Sequence, residues 1–231
     1  ATATIAGNPV KLAQTTRYPW DGQVAFRLSP QKPATFTLCL RVPGWVQGRP
    51  LPSDLYAYED ATPAKWSVSV NGKSVSVALK QGYAAITREW KNGDTVTLDL
   101  PMPVRRVTGN PKIAATRGLV ALERGPTVYA LEGVDNDGAV FDAVLPDTAR
   151  VTPEYRGALL GGVTVLKVEH ALKAVRNESG TFTSKPANLT AIPYAVWANR
   201  GLSPMTVWVA RAITNARPSP RPTIASLAKI T

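Results

Sequence analysis

In 231 residues the sequence has one cysteine, Cys39, and one histidine, His170. One thiol cannot close an intramolecular disulfide, and one thiol with one imidazole falls short of the ligand set of a zinc site. Ser-His-Asp hydrolysis would have to use His170 as its base, and no Gly-X-Ser-X-Gly elbow is present. Long apolar runs are missing as well: nothing approaches the roughly 18 uninterrupted apolar residues of a membrane-spanning helix. The first thirty residues lack a basic stretch followed by an apolar one, as a secretory leader would show. The chain opens on strand-like sequence, Ala1-Thr-Ala-Thr-Ile5, without an initiator methionine, so it reads as a piece of something longer whose leader could have been removed upstream. Localisation stays open between a bacterial periplasm or exterior and the cytoplasm.

Acidic residues are also scarce. Sixteen Asp and Glu face 27 Lys and Arg, for a formal charge of +11 and an isoelectric point near 10.0. Such a balance raises nucleic acid as a partner. The basic residues nevertheless fall singly, at Lys11, Arg17, Arg27, Lys32, Arg41 and Arg49 among others, with one adjacent pair, Arg105-Arg106. Aromatics interleaved to stack bases are absent. Neither a nucleic acid nor a membrane is expected as a partner.

What the sequence does have is apolar residues, 44%, in short alternating or β-branched runs separated by Pro, Gly, Asn and Asp. This is the pattern of strands, and enough apolar material for a buried core. Strands are expected at 24–28, 35–42, 66–70, 73–79, 84–90, 95–100, 113–115, 119–124 and 127–132. Further ones are expected at 141–144, 164–171, 180–183, 192–197 and 205–210. Asn71-Gly72, between Trp66-Ser-Val-Ser-Val70 and Lys73-Ser-Val-Ser-Val77, predicts a hairpin, because a type I′ turn needs positive φ at both central residues. Asn92-Gly93 and Asp137-Gly138 read as further turns, and twenty prolines suit strand edges and loops. Trp66, Val68 and Val70 share one face and Ser67 and Ser69 the other; Phe36, Leu38, Leu40 and Val42 alternate likewise. Sheets with one buried and one wet face predict sandwich packing. The fold class is therefore all-β, two β-sandwich, jelly-roll-like modules with almost no helix. Residues 1–108 form the first, completed by a C-terminal strand near 203–211, and 109–202 the second. The acid-free, proline-rich 212–231 is a linker or tail.

Several collinear runs resemble glycoside hydrolase family 127. They are Tyr18-Pro-Trp-Asp-Gly22, Leu40-Arg-Val-Pro-Gly-Trp45, Val70-Asn-Gly72, Gly82-Tyr83 ahead of Ile86-Thr-Arg-Glu-Trp90, and Gly93-Asp94 ahead of Leu98-Asp-Leu-Pro-Met102. Val120-Ala-Leu-Glu-Arg-Gly-Pro126, Tyr129-Ala-Leu-Glu132, Ala191-Ile-Pro-Tyr194 and Trp197-Ala-Asn-Arg-Gly201 continue the series over residues 10–211. The resemblance implies the region after the catalytic (α/α)6 barrel of a β-L-arabinofuranosidase-like enzyme acting on arabinose-containing glycans. It implies that the family's zinc, cysteine nucleophile and glutamates belong to that barrel, so this chain carries no catalytic residue, cofactor or metal, and its partner is the missing barrel of the same polypeptide. Ala195 departs from the family, where another aromatic commonly follows Ile-Pro-Tyr. An alternative function is a carbohydrate-binding module that meets glycan through surface aromatics.

The remaining candidates have plain structural readings. Cys39, inside the strand run Thr37-Leu-Cys-Leu-Arg41, is expected to be buried. Asp135, Asn136, Asp137 and Asp142 offer the oxygen ligands of a calcium loop but lack the EF-hand's terminal Glu, and a solvated turn is expected instead. A glycosidase pair would need two carboxylates about 5–9.5 Å apart in a cleft; Glu123 and Glu132 fall on neighbouring expected strands, but Arg117 and Arg124 nearby explain them more cheaply as salt-bridge partners. His170 is assigned no role. Most tryptophans are expected in the core. Trp20 and Trp45, beside Pro and Gly turns, and Tyr56 and Tyr58, in the bulky Gly44–Tyr58 loop, are the contacts expected to meet carbohydrate or the barrel.

Overall fold

The computed structural model describes residues 1–177 and 181–218. It divides into two compact units. The first holds Ala1–Arg105 and the hairpin tip Arg124–Thr127, and the second the remaining described residues from Arg106 on.

The first unit contains β1 (Thr2–Ile5), β2 (Asn8–Thr16), β3 (Gln23–Pro30), β4 (Ala34–Arg41), β5 (Tyr56–Tyr58), β6 (Ser67–Val70), β7 (Lys73–Val75), β8 (Leu79–Lys80), β9 (Tyr83–Trp90) and β10 (Thr95–Asp99). One sheet runs in the order β1-β2-β3-β10-β6-β7 and another in the order β4-β9-β8. Period-two alternation buries Val24, Leu28, Val68, Val70, Val96 and Leu98 from the first sheet, and Leu40, Ala84, Ile86 and Trp90 from the second. Together these faces make the core of a sandwich. The Asn71-Gly72 hairpin is present, with Val70 opposite Lys73 and φ of 50° and 76° at the two turn residues. The Asn71 side chain also stitches the turn to β10, accepting from the Thr95 N–H at 2.8 Å and donating to Asp94 Oδ1 at 2.9 Å.

The second unit contains β11 (Val104–Gly109), β12 (Leu119–Arg124), β13 (Thr127–Glu132), β14 (Ala143–Val144), β15 (Arg150–Arg156), β16 (Val163–Arg176), β17 (Phe182–Pro193), β18 (Met205–Thr206) and β19 (Val209–Ala210). Its ladder closes on itself: β13-β17-β16-β14-β19-β12 follow one another, and β12 pairs back to β13. Closure leaves this ring without a free edge. Val120, Leu122, Tyr129, Leu131, Val165, Leu166, Leu189 and Ile192 are buried.

Several sequence expectations are corrected here. Residues 113–115 do not form a strand; Ala114–Thr116 are a 3-10 turn, initiated by Asn110, whose carbonyl accepts from the Ile113 N–H and whose Oδ1 accepts from the Lys112 N–H. The apolar run 192–197 leaves the sheet at Pro193, and Tyr194–Val196 form another 3-10 turn. The C-terminal strands do not complete the first sandwich: β18 pairs with β13, and β19 with β12 and β14, all within the second unit. Residues 212–218, taken as the start of a linker, pack as well, with Ile213 and Ala216 against Val144, Ala174 and Ala210. The rest of that stretch, 219–231, lies outside the described residues. The β16–β17 hairpin is far longer than the expected 164–171 and 180–183. It absorbs a bulge between Val168 and Ala171, where exposed His170 takes φ 59°.

Candidate functional site

The Val42–Arg49 loop folds tightly after β4. The N–H groups of Gln47 and Arg49 both donate to the Gly44 carbonyl at 2.9 Å. Gln47 Nε2 donates back to the Val42 and Pro43 carbonyls at 3.0 and 3.3 Å. Gly48 (φ 79°) is required, because a Cβ there would lie 2.0 Å from the Ala61 carbonyl oxygen. Beside this loop opens a cleft of about 500 Å3 lined in part by Arg41, Trp45, Gln47, Arg49, Leu51 and Leu79.

Trp45 lines the cleft but is 8% exposed, and the next residue, Val46, is fully buried. The four aromatics expected to meet carbohydrate or a partner therefore separate. Trp45 and Tyr58 are buried, and Trp20 and Tyr56 are half-buried. Tyr58 lies beneath Arg105, whose guanidinium sits 5.0 Å from the ring centroid and donates to the carbonyls of Asp60 and Thr62. The Trp20 carbonyl accepts from Arg124 Nη1 at 2.9 Å. The exposed bulk of the loop is aliphatic, Leu51 and Leu55. Cys39 is exposed rather than buried. It alternates with the inward-facing Leu38 and Leu40, so it shares the outer face with Thr37 and Arg41.

In the second unit the structure assembles a cluster that the sequence concealed. Glu132, fully buried, accepts from the Ala198 N–H at 3.0 Å and pairs with Arg200. Arg200 Nη1 also donates to Asp135 Oδ1 at 2.8 Å. The hydrogen bonds that Arg200 donates to the Asp135 and Glu132 carboxylates raise its pKa above its already high value, against the opposing effect of burial. The partner of Glu132 is thus Arg200, not Arg117 or Arg124; Arg117 Nε donates to the Pro111 carbonyl instead. Glu132 and Asp135 serve the 194–202 loop, which presents the exposed rings of Tyr194 and Trp197 with centroids 6.4 Å apart.

The expected solvated turn at Asp135–Asp137 is also corrected, because Asn136 is buried. Its Nδ2 donates to the Glu132 and Thr190 carbonyls at 2.7 and 2.9 Å, and its Oδ1 accepts from the Thr190 N–H at 3.0 Å. Buried Lys173 donates to the Asn136 carbonyl at 2.7 Å and reaches Asp137 Oδ2 at 3.3 Å. Among the described residues no three His, Cys, Asp or Glu side chains gather as metal ligands. The chain's sole thiol, Cys39, belongs to the first unit, and its sole imidazole, His170, to the second. These residues do not fit the thiolate and imidazole donor set of zinc. No described helix is long and apolar enough to cross a membrane.

Comparison with known proteins agrees with this division. Residues 1–102 match the family model described as the β-L-arabinofuranosidase, glycoside hydrolase family 127, middle domain. Residues 104–210 match the family 127 C-terminal domain. The chain is 31% identical to a non-reducing end β-L-arabinofuranosidase of Bifidobacterium longum subsp. longum, over 86% of this chain and 30% of that protein. It is similar to a solved family 127 β-arabinofuranosidase, with 36% identity and a TM-score of 0.88 over 94% of this chain and 34% of the other. It is also similar to a solved family 127 β-L-arabinofuranosidase of Geobacillus stearothermophilus T6, with 37% identity and a TM-score of 0.78 over 91% of this chain and 32% of the other. The chain spans about a third of the length of the relatives it matches.

Proposed function

Because this chain belongs to glycoside hydrolase family 127, of which it carries the middle and C-terminal domains, we propose that it is the architectural part of an arabinofuranosidase. The polypeptide that contains it removes β-L-arabinofuranose from arabinose-containing glycans, and these two units support its catalytic domain. The observation that carries this reading is the collinear match of both units to the two non-catalytic domains of relatives about three times as long. The contents of the units support it: the fully buried carboxylate, Glu132, holds the 194–202 loop, and Asp94 ties the hairpin turns together.

The geometry weighs against glycan capture by two of the four aromatics first singled out. Trp45 and Tyr58 are buried within the first unit, and neither ring offers a face for sugar stacking. Turnover of an aryl β-L-arabinofuranoside tests the reading. The full-length enzyme should hydrolyse it and the 231-residue chain alone should not; zinc-independent hydrolysis by the pure chain would overturn the assignment.

A further inference from the structure

The cleft of the first unit carries charge of one sign. Two guanidinium groups, Arg41 and Arg49, line it together with Gln47 and Gln81, and no carboxylate lies among its lining residues. The arginines are seated before any ligand arrives. Arg41 stands opposite Tyr83 in the β4–β9 register, its guanidinium 5.3 Å from that ring's centroid, and its Nη1 donates to the Gly82 carbonyl at 2.9 Å. Gly82, at φ 80°, leaves room for it: a Cβ there would fall 1.6 Å from Arg41 Nη1. Arg49 Nη2 lies 3.5 Å from Gln47 Oε1, and Gln47 is itself anchored on the Val42 and Pro43 carbonyls. A guanidinium carries five N–H donors in a planar fork, so the Gly82 contact leaves Arg41 with donors to offer.

We propose that this cleft binds the carboxylate-bearing unit of an acidic glycan, a uronate, with Arg41 and Arg49 on the carboxylate and Leu51 and Leu79 against the apolar side of the sugar. The volume of about 500 Å3 suits a short stretch of oligosaccharide. The net charge of +11 draws polyanions toward the molecule. A nucleic acid would need open aromatic faces for its bases, whereas Trp45, the one aromatic among the cleft's lining residues, is buried. The choice of a glycan rests on the family reading above; the charge of the ligand rests on the cleft alone.

Calorimetric titration of the 231-residue chain tests the proposal, using tetragalacturonate, neutral cellotetraose and a single-stranded oligonucleotide of matched charge. Tetragalacturonate should bind, more weakly as salt rises, and cellotetraose should not. Since Arg41 also seats the Gly82 turn, Arg49→Gln is the deciding variant. It should lower affinity about tenfold or more, with Arg49→Lys intermediate and the melting temperatures of both matching the parent as proof of folding. Equal binding of the charged and neutral tetrasaccharides would overturn the proposal. So would oligonucleotide binding as tight as that of the uronate, or unchanged affinity in a folded Arg49→Gln chain. Any of these results leaves the family reading standing if the full-length enzyme cleaves a neutral arabinofuranoside. Uronate binding alongside a full-length enzyme that cleaves no arabinofuranoside would count against that reading and not against the cleft.

Discussion

Trp45 shows how a single residue changes meaning between sequence and structure. Its place beside Pro43-Gly44 suggests an exposed contact, yet the loop folds back on the Gly44 carbonyl and carries the indole inward. Trp45→Ala should therefore cost about 3–5 kcal/mol in urea unfolding, as for a core aromatic, and half-buried Tyr56→Ala under about 2 kcal/mol. Equal small losses would return Trp45 to the surface. Cys39 moves the opposite way. Its alternation with Leu38 and Leu40 already placed it on the outer face, but the general tendency of cysteine toward burial pointed inward, and the period-two rule is the one the structure obeys. A thiol reagent should label Cys39 in the native chain as fast as in urea; protection that vanishes only on unfolding would contradict its exposure. Glu132 is the residue the sequence did least to reveal, since Arg200 lies 68 positions away. Glu132→Ala leaves the partly buried Arg200 with Asp135 alone and frees the Ala198 N–H, and should destabilise the chain by about 3 kcal/mol in urea unfolding.

Among the elements, those with strong local signals were the legible ones. Residues 119–124 and 127–132 are strands over the full range expected, because each packs an unbroken apolar run between Gly and Pro. Asn71-Gly72 was legible as a hairpin turn because both residues tolerate the positive φ it requires. Short β5 and edge β15 escaped notice because Tyr56-Ala-Tyr58 sits in a Pro- and Ser-rich loop and β15 contains Pro153, so their pairing depends on neighbours distant in sequence. The Arg41–Arg49 cleft was illegible for the same reason: Arg41 meets Gly82 and Tyr83 only through the β4–β9 register.

Two predictions belong to this scale. Deleting residues 203–231 removes β18 and β19 and should abolish hydrogen-exchange protection in the second unit while β2, β3 and β10 keep theirs; the reverse pattern would restore the idea that these strands close the first sandwich. The Asp94 carboxylate, accepting from the Lys91 N–H at 2.9 Å and from Asn71 Nδ2, has a folded-state pKa below its ordinary value, chiefly through the Lys91 backbone bond. A lowered folded value means stability present at neutral pH, above the unfolded value, and lost as pH falls through the folded one. Asp94→Asn should therefore melt below the parent at pH 7 and converge with it in acid; a gap that persists or widens in acid would contradict this.

At the scale of the whole molecule, the sequence supported an all-β, two-unit chain of family 127, and the matches to the middle and C-terminal domains agree. One Cys and one His are too few to build a Cys/His zinc site within this sequence, and they leave a Ser-His-Asp triad a single possible base. The basic residues are spread along the chain, and the end of β4 with the loop after it brings two of them, Arg41 and Arg49, to one cleft. Thermal unfolding of the full-length enzyme, compared with a version truncated before this chain, tests the architectural claim most directly. The account predicts that the truncated catalytic domain melts lower and loses its arabinofuranosidase activity on mild heating. A truncated enzyme with the melting temperature and kcat/KM of the full-length protein would contradict it.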